Sequence, residues 1–160
     1  MTPRTQSQAT PIPQTRQAEI IADLNWTLAH MIDISTSAKQ AHWNVHGPNF
    51  QGLHDLFDII VDEARQYSDD VAERAVAIGG TAHGTIQDAT KNSTLDPFPT
   101  DERNWQPLVK AMHGRLTAMS ARLHDLIHAT EDDLNTQDLY ISIQRTIDKR
   151  AWMLEAHLHE

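Results

Sequence analysis

FQGLHDLFDIIVDEARQYSDDVAERAVAIGG, residues 50–80, decides how this chain is read. Leu53, Phe57, Ile60, Val61, Ala64, Val71, Ala75 and Ile78 form the apolar face of a helix predicted over Phe50 to Ile78. Gly79 and Gly80 are a strong stop after it. A second set of side chains shares the helical period. At about 100° per residue, His54, Asp58, Asp69 and Glu73 fall at roughly 0°, 40°, 60° and 100° around the axis. This arc borders the apolar face, so a partner element would half cover it. Imidazole and carboxylate together are a donor set for iron, manganese or zinc more than for calcium or magnesium. Yet Asp58 and Asp69 stand about 16 Å apart along the axis at 1.5 Å per residue. Metal–ligand bonds are about 2 Å long, so one helix cannot wrap one ion with both halves. An antiparallel copy of the same helix can, by bringing Asp69 and Glu73 of one chain opposite His54 and Asp58 of the other. The spacing predicts a metal site shared across a two-fold dimer. Taken singly, each i,i+4 pair is an ordinary solvated pair; their common phase is what sets them apart.

The flanking sequence completes an all-α bundle. A first helix is predicted from about Gln17 to His46, with Ile20, Ile21, Leu24, Leu28, Met31 and Ile32 on one stripe. His42 follows Leu24 by about five turns and extends that stripe inward or into an interface. His46-Gly47-Pro48-Asn49 makes the turn. Residues 81–99 are a long connection with a possible short helix over Ile86 to Lys91. A third long helix is expected from near Thr100 to Ala129, with Asp101 and Glu102 at its positive end. A fourth begins near Asn135 or Thr136, with Asp138 in its first turn. Four long helices and no strand pattern indicate a four-helix bundle over residues 17–160, and the long connection admits a crossover topology. Residues 1–16, MTPRTQSQATPIPQTR, hold three prolines and no acid, and read as a flexible arm.

Composition narrows the function. The chain has 160 residues, 13 basic and 22 acidic, for a net charge of −9. That argues against a nucleic-acid binder working through its body and suits a protein that gathers cations. There is no cysteine, hence no disulfide framework and no thiol nucleophile. No apolar run approaches membrane length, and residues 1–18 lack the apolar stretch of a signal peptide. The cytoplasm is the default location. A structural zinc site in a plain helical dimer is a competing reading of the same ligands.

Residues 39–58, KQAHWNVHGPNFQGLHDLFD, followed by DDVAERAVAIGG at 69–80, closely resemble the Dps family, the DNA-binding proteins from starved cells, which are miniature ferritins. The His-Trp-Asn turn, the His-x-x-x-Asp pair and the Asp-x-x-x-Glu-Arg pair stand at matching intervals. Ferritin-like bundles with an intrachain centre use paired Glu-x-x-His motifs; this chain has none, which moves any site to the dimer seam. The resemblance implies a hollow homododecamer. It implies two irons per seam site, with zinc or manganese as substitutes. His42, His54 and Asp58 would come from one subunit and Asp69 and Glu73 from its neighbour. It also implies Fe(II) oxidation, preferably by hydrogen peroxide, with Fe(III) mineral stored in the cage as protection against oxidative damage. Trp43, beside His42, reads either as an electron donor or as a packing aromatic at the seam. Glu131, Asp132, Asp133 and Asp138 are expected at iron-entry pores, against the plainer reading of a solvated loop with a capping acid. Arg74 is expected to pair with an acid such as Asp148. Chromosome compaction through the arms, with the protein nucleoid-associated, is the alternative function. The arm has no lysine, which weighs against it.

Overall fold

A computed structural model describes residues 12–159. Five helices follow one another: α1, Gln14–Asn44; α2, Phe50–Ala77; α3, Ile86–Asn92; α4, Trp105–Ala129; and α5, Leu134–Ala156. Of the expected arm, residues 1–11 lie outside the described residues, and Gln14, Thr15 and Arg16 are already helical.

The core follows from the apolar periods. Ile20, Leu24, Leu28, Met31, Ile34, Ala38 and Ala41 bury one stripe of α1. The eight residues of the predicted apolar face of α2, from Leu53 to Ile78, are buried with them. Removing a Leu, Ile or Phe side chain from water is worth about 1.5–3 kcal/mol, so this seam holds α1 on α2. Leu108, Met112, Leu116 and Met119 of α4 and Tyr140, Ile143 and Ile147 of α5 close the bundle. The short links at 45–49 and 130–133 leave α1 packed chiefly on α2 and α4 chiefly on α5.

The glycine stop behaves as expected. Gly79 has φ +92°, its N–H donates to the Val76 carbonyl at 2.9 Å, and Gly80 N–H donates to the Ala75 carbonyl at 2.8 Å. That pattern is a Schellman C-cap. Gly47 has φ +132°, and a Cβ there would collide with Trp105 Cδ1. Only glycine lets the α1–α2 turn lie on that indole.

Two helix starts differ from expectation. α4 begins at Trp105 rather than near Thr100. The preceding residues are engaged elsewhere: His46 N–H donates to the Arg103 carbonyl at 2.8 Å, and Glu102 Oε1 accepts from the N–H groups of Arg103 and Asn104 at 2.8 Å each. α5 starts at Leu134 because Asp133 caps it, accepting from Thr136 N–H at 3.4 Å. Asp138 therefore lies beyond the first turn.

The long connection between α2 and α4 is pinned to α1 by polar groups. Asn25 donates to the Thr81 carbonyl at 2.9 Å and accepts from His83 N–H at 2.8 Å. His30, fully buried, accepts from Thr94 N–H at 3.1 Å. Asp33 takes the Ser93 hydroxyl and the buried guanidinium of Arg115. Such anchors satisfy backbone that leaves regular structure inside the fold.

Candidate metal centre

The α1–α2 hairpin sets two of the expected ligands face to face. The His42 and His54 rings stack with centroids 3.6 Å apart and planes 25° from parallel. His42 Nδ1 lies 2.9 Å from the His54 carbonyl, and His54 Nδ1 lies 2.9 Å from the His42 carbonyl. A carbonyl only accepts, so each Nδ1 carries the proton. In a neutral ring this leaves the lone pair on Nε2, the atom free for a metal. One reciprocal pair of hydrogen bonds fixes both rings and both tautomers.

Asp58 stands beside them, its Oδ1 3.8 Å from His42 Nδ1. The same oxygen accepts from the Lys39 ammonium, which, ahead of any other influence, holds the Asp58 carboxyl below the usual carboxylate range. Lys39 is absent from the sequence reading. Its position three residues before His42 on α1 was the available signal, since residues at that spacing share a helix face.

Asp69 and Glu73 are exposed on the same helix and have no hydrogen-bond or ion-pair partner among the described residues. The chain thus gathers His42, His54 and Asp58 and leaves Asp69 and Glu73 apart. Among the described residues no group of three or more His, Asp or Glu is placed to hold a metal within one chain. Imidazole nitrogen and carboxylate oxygen are donors of the kind that suit iron.

Trp43 is 66% exposed, so it is not packed in the core of its own chain. Trp105 packs against the core, and Trp152 is exposed. Arg74 does not pair with Asp148. It donates to both Asp133 oxygens at 2.8 Å and to the Thr136 hydroxyl at 2.9 Å. Asp148 accepts instead from Ser120 across the α4–α5 pair. The reason is the cap: with Asp133 turned inward at the start of α5, Arg74 finds a buried carboxylate nearby. Of the four expected pore residues, Asp133 is therefore committed to the fold. Asp132 is held by Arg16 at 2.8 Å. Glu131 and Asp138 are exposed.

Residues 21–160 match the ferritin family model, a ferritin-like domain. The DNA protection during starvation protein of Agrobacterium fabrum is 33% identical over 151 residues, 93% of each chain. The chain belongs to the Dps family. Dps from Mycobacterium smegmatis in its tetragonal form superimposes with a TM-score of 0.89 at 30% identity, covering 95% of this chain and 94% of that one. Dps from Microbacterium arborescens in the high iron form does so with a TM-score of 0.84 at 33% identity, covering 96% and 99%. Membership associates the chain with iron storage and DNA protection in general. Among the described residues, no helix is long and apolar enough to cross a membrane.

Proposed function

We propose that this Dps-family chain is a ferroxidase and iron store, whose sites form where two copies of α2 meet head to tail in a hollow homododecamer. The observation that carries this is the split ligand set: His42, His54 and Asp58 gathered at one end of α2, with Asp69 and Glu73 unpartnered about 16 Å along it at helical rise. A two-fold axis turns each half into the complement of the other. Phe50 and Val76, 44% and 55% exposed, lie on the same edge of α2 and offer apolar area for a second copy to cover.

Fe(II) is the substrate. His42 and His54 offer neutral nitrogen, which keeps the site from binding Fe(II) too tightly. Asp58 and the neighbour's Asp69 serve as terminal carboxylates and the neighbour's Glu73 as a bridge. Anionic oxygen stabilises Fe(III) more than Fe(II), so the carboxylates favour electron loss. Two Fe(II) ions give two electrons to one hydrogen peroxide, which with two protons leaves as two waters, so no free hydroxyl radical is released. Zinc or manganese fits the same donors. Trp43 stands close by in sequence, either as an electron donor or as an aromatic covered by the neighbour. Glu131 and Asp138 are the exposed acids available to an entry pore, with Asp132 exposed beside them but ion-paired to Arg16.

Native mass measurement of the full-length protein, with and without Fe(II) under exclusion of oxygen, tests this reading. A dodecamer that gains at least two irons per chain is expected; a metal-free monomer or dimer would contradict it. The Lys39 contact adds a second expectation. Iron must displace the ammonium from Asp58, so Lys39→Met should tighten Co(II) binding at the seam several-fold, read by calorimetry. An unchanged or weaker affinity would show that Lys39 does not compete with the metal.

Chromosome compaction through the arms has less support. Arg16, one of the two arginines at the amino end, is bound to Asp132, Glu19 and the Ala129 carbonyl rather than free for phosphate. The arm has no lysine, and affinity for nucleic acid scales with the phosphates neutralised.

A further inference from the structure

The last turns of α4 carry a second cluster of metal donors, separate from α2. His124 and His128 lie one turn apart, both exposed, with ring centroids 4.8 Å apart and planes at 76°. His128 Nδ1 lies 3.5 Å from Glu131 Oε1. Among the described residues His124 has no partner other than this ring, so its side chain is free to turn.

Both spacings are those of ligands on one ion. Metal–nitrogen bonds of about 2 Å put an imidazole centre roughly 3 Å from the metal, so two rings bound at a tetrahedral angle have centres about 5 Å apart. Two donor atoms on a tetrahedral ion with such bonds are about 3.4 Å apart. The His–His pair meets the first value and the His128–Glu131 pair the second. The three donors do not converge on one point as they stand. The helix places both rings on one face, and Glu131, in the turn after it, is exposed beside His128, so rotation of exposed side chains can draw the donors together.

We propose that His124, His128 and Glu131 form a surface site for a first-row divalent transition metal. Two imidazoles and one carboxylate leave further positions for water, the pattern suited to Zn(II), Co(II) or Fe(II) and poorly suited to Mg(II) or Ca(II). The alternative is an ion pair between His128 and Glu131 with His124 stacked on it, which needs no metal.

Co(II) titration of the assembled full-length protein separates the two, followed by visible absorption and calorimetry. The His54→Ala/Asp58→Ala variant is used alongside the unmodified chain to silence the seam. In both backgrounds, His124→Gln/His128→Gln should remove one Co(II) per chain together with its absorption band. Glu131→Gln should weaken that same site by at least about tenfold, the lower end of what lost coordination-sphere partners cost. Equal stoichiometry and affinity with and without the two histidines would overturn the proposal. Because the seam is silenced separately, loss of the α4 site and loss of the seam site appear as different missing equivalents.

Discussion

Asp58→Ala should slow the initial rate of Fe(II) oxidation by hydrogen peroxide by well over tenfold, while the native mass of the assembly stays that of the unmodified protein. The magnitude follows from what Asp58 offers. Partners of metal ligands are typically worth about ten- to a hundredfold, and a carboxylate bound to the iron itself should exceed them. The fold does not depend on Asp58: its side chain is 44% exposed, and among the described residues its ion pairs are with Lys39 and His42. Stopped-flow oxidation under saturating peroxide, paired with native mass measurement, checks both halves. Unchanged initial rates would remove Asp58 from the site. A collapse of assembly would instead make it structural.

The second large effect lies far from the iron. Arg74→Met should lower the unfolding free energy by about 3–5 kcal/mol, the range found when one partner of a buried pair is removed. Asp133 is only 6% exposed, and both its oxygens accept from one guanidinium nitrogen, Arg74 Nη2, at 2.8 Å, while Nε donates to the Thr136 hydroxyl. Burial alone would push this carboxyl up; the Thr136 hydroxyl and then Arg74 outweigh it and hold the group below its usual value. A depressed folded value means that the carboxylate contributes stability above the unfolded value of about 3.9 and loses it as pH falls through the folded one. In Arg74→Met that acid-labile part should shrink. Guanidinium unfolding at neutral and acid pH reads both quantities. A loss below about 1 kcal/mol would show that the pair behaves as a surface salt bridge. Arg74→Lys should rescue only in part, because one ammonium cannot stand in for both Nη2 on Asp133 and Nε on the Thr136 hydroxyl.

Much of the bundle was legible because its signals are periodic. The α2 stripe needed only spacing, and Gly79-Gly80 ended the helix where a positive φ was required. The short α3 was expected within one residue of its end. The starts of α4 and α5 were not legible, since each depends on a partner distant in sequence. Residues 100–104 are held back from α4 by the α1–α2 turn. Asp133 outcompetes Asp138 because it both caps α5 and meets Arg74. The same physics explains the Arg74 misassignment: a count of acids in sequence cannot tell which carboxylate is buried. At the candidate site, residue types and phase pointed to five ligands. The stacking of His42 on His54 and the ammonium at Asp58 became visible only when α1 lay against α2.

Co-assembly of Asp58→Ala with Glu73→Ala chains tests the central claim most directly. If each site takes Asp58 from one subunit and Glu73 from the other, either variant alone has no intact site. A mixed two-fold pair carries both lesions in one site and none in its twin. Equal random mixing should then restore about one quarter of the unmodified peroxide-dependent oxidation rate, since half of the pairs are mixed and each has one good site. If instead every ligand came from a single chain, the mixture would be as inactive as its parents, and that result would contradict a metal centre shared across the α2 seam.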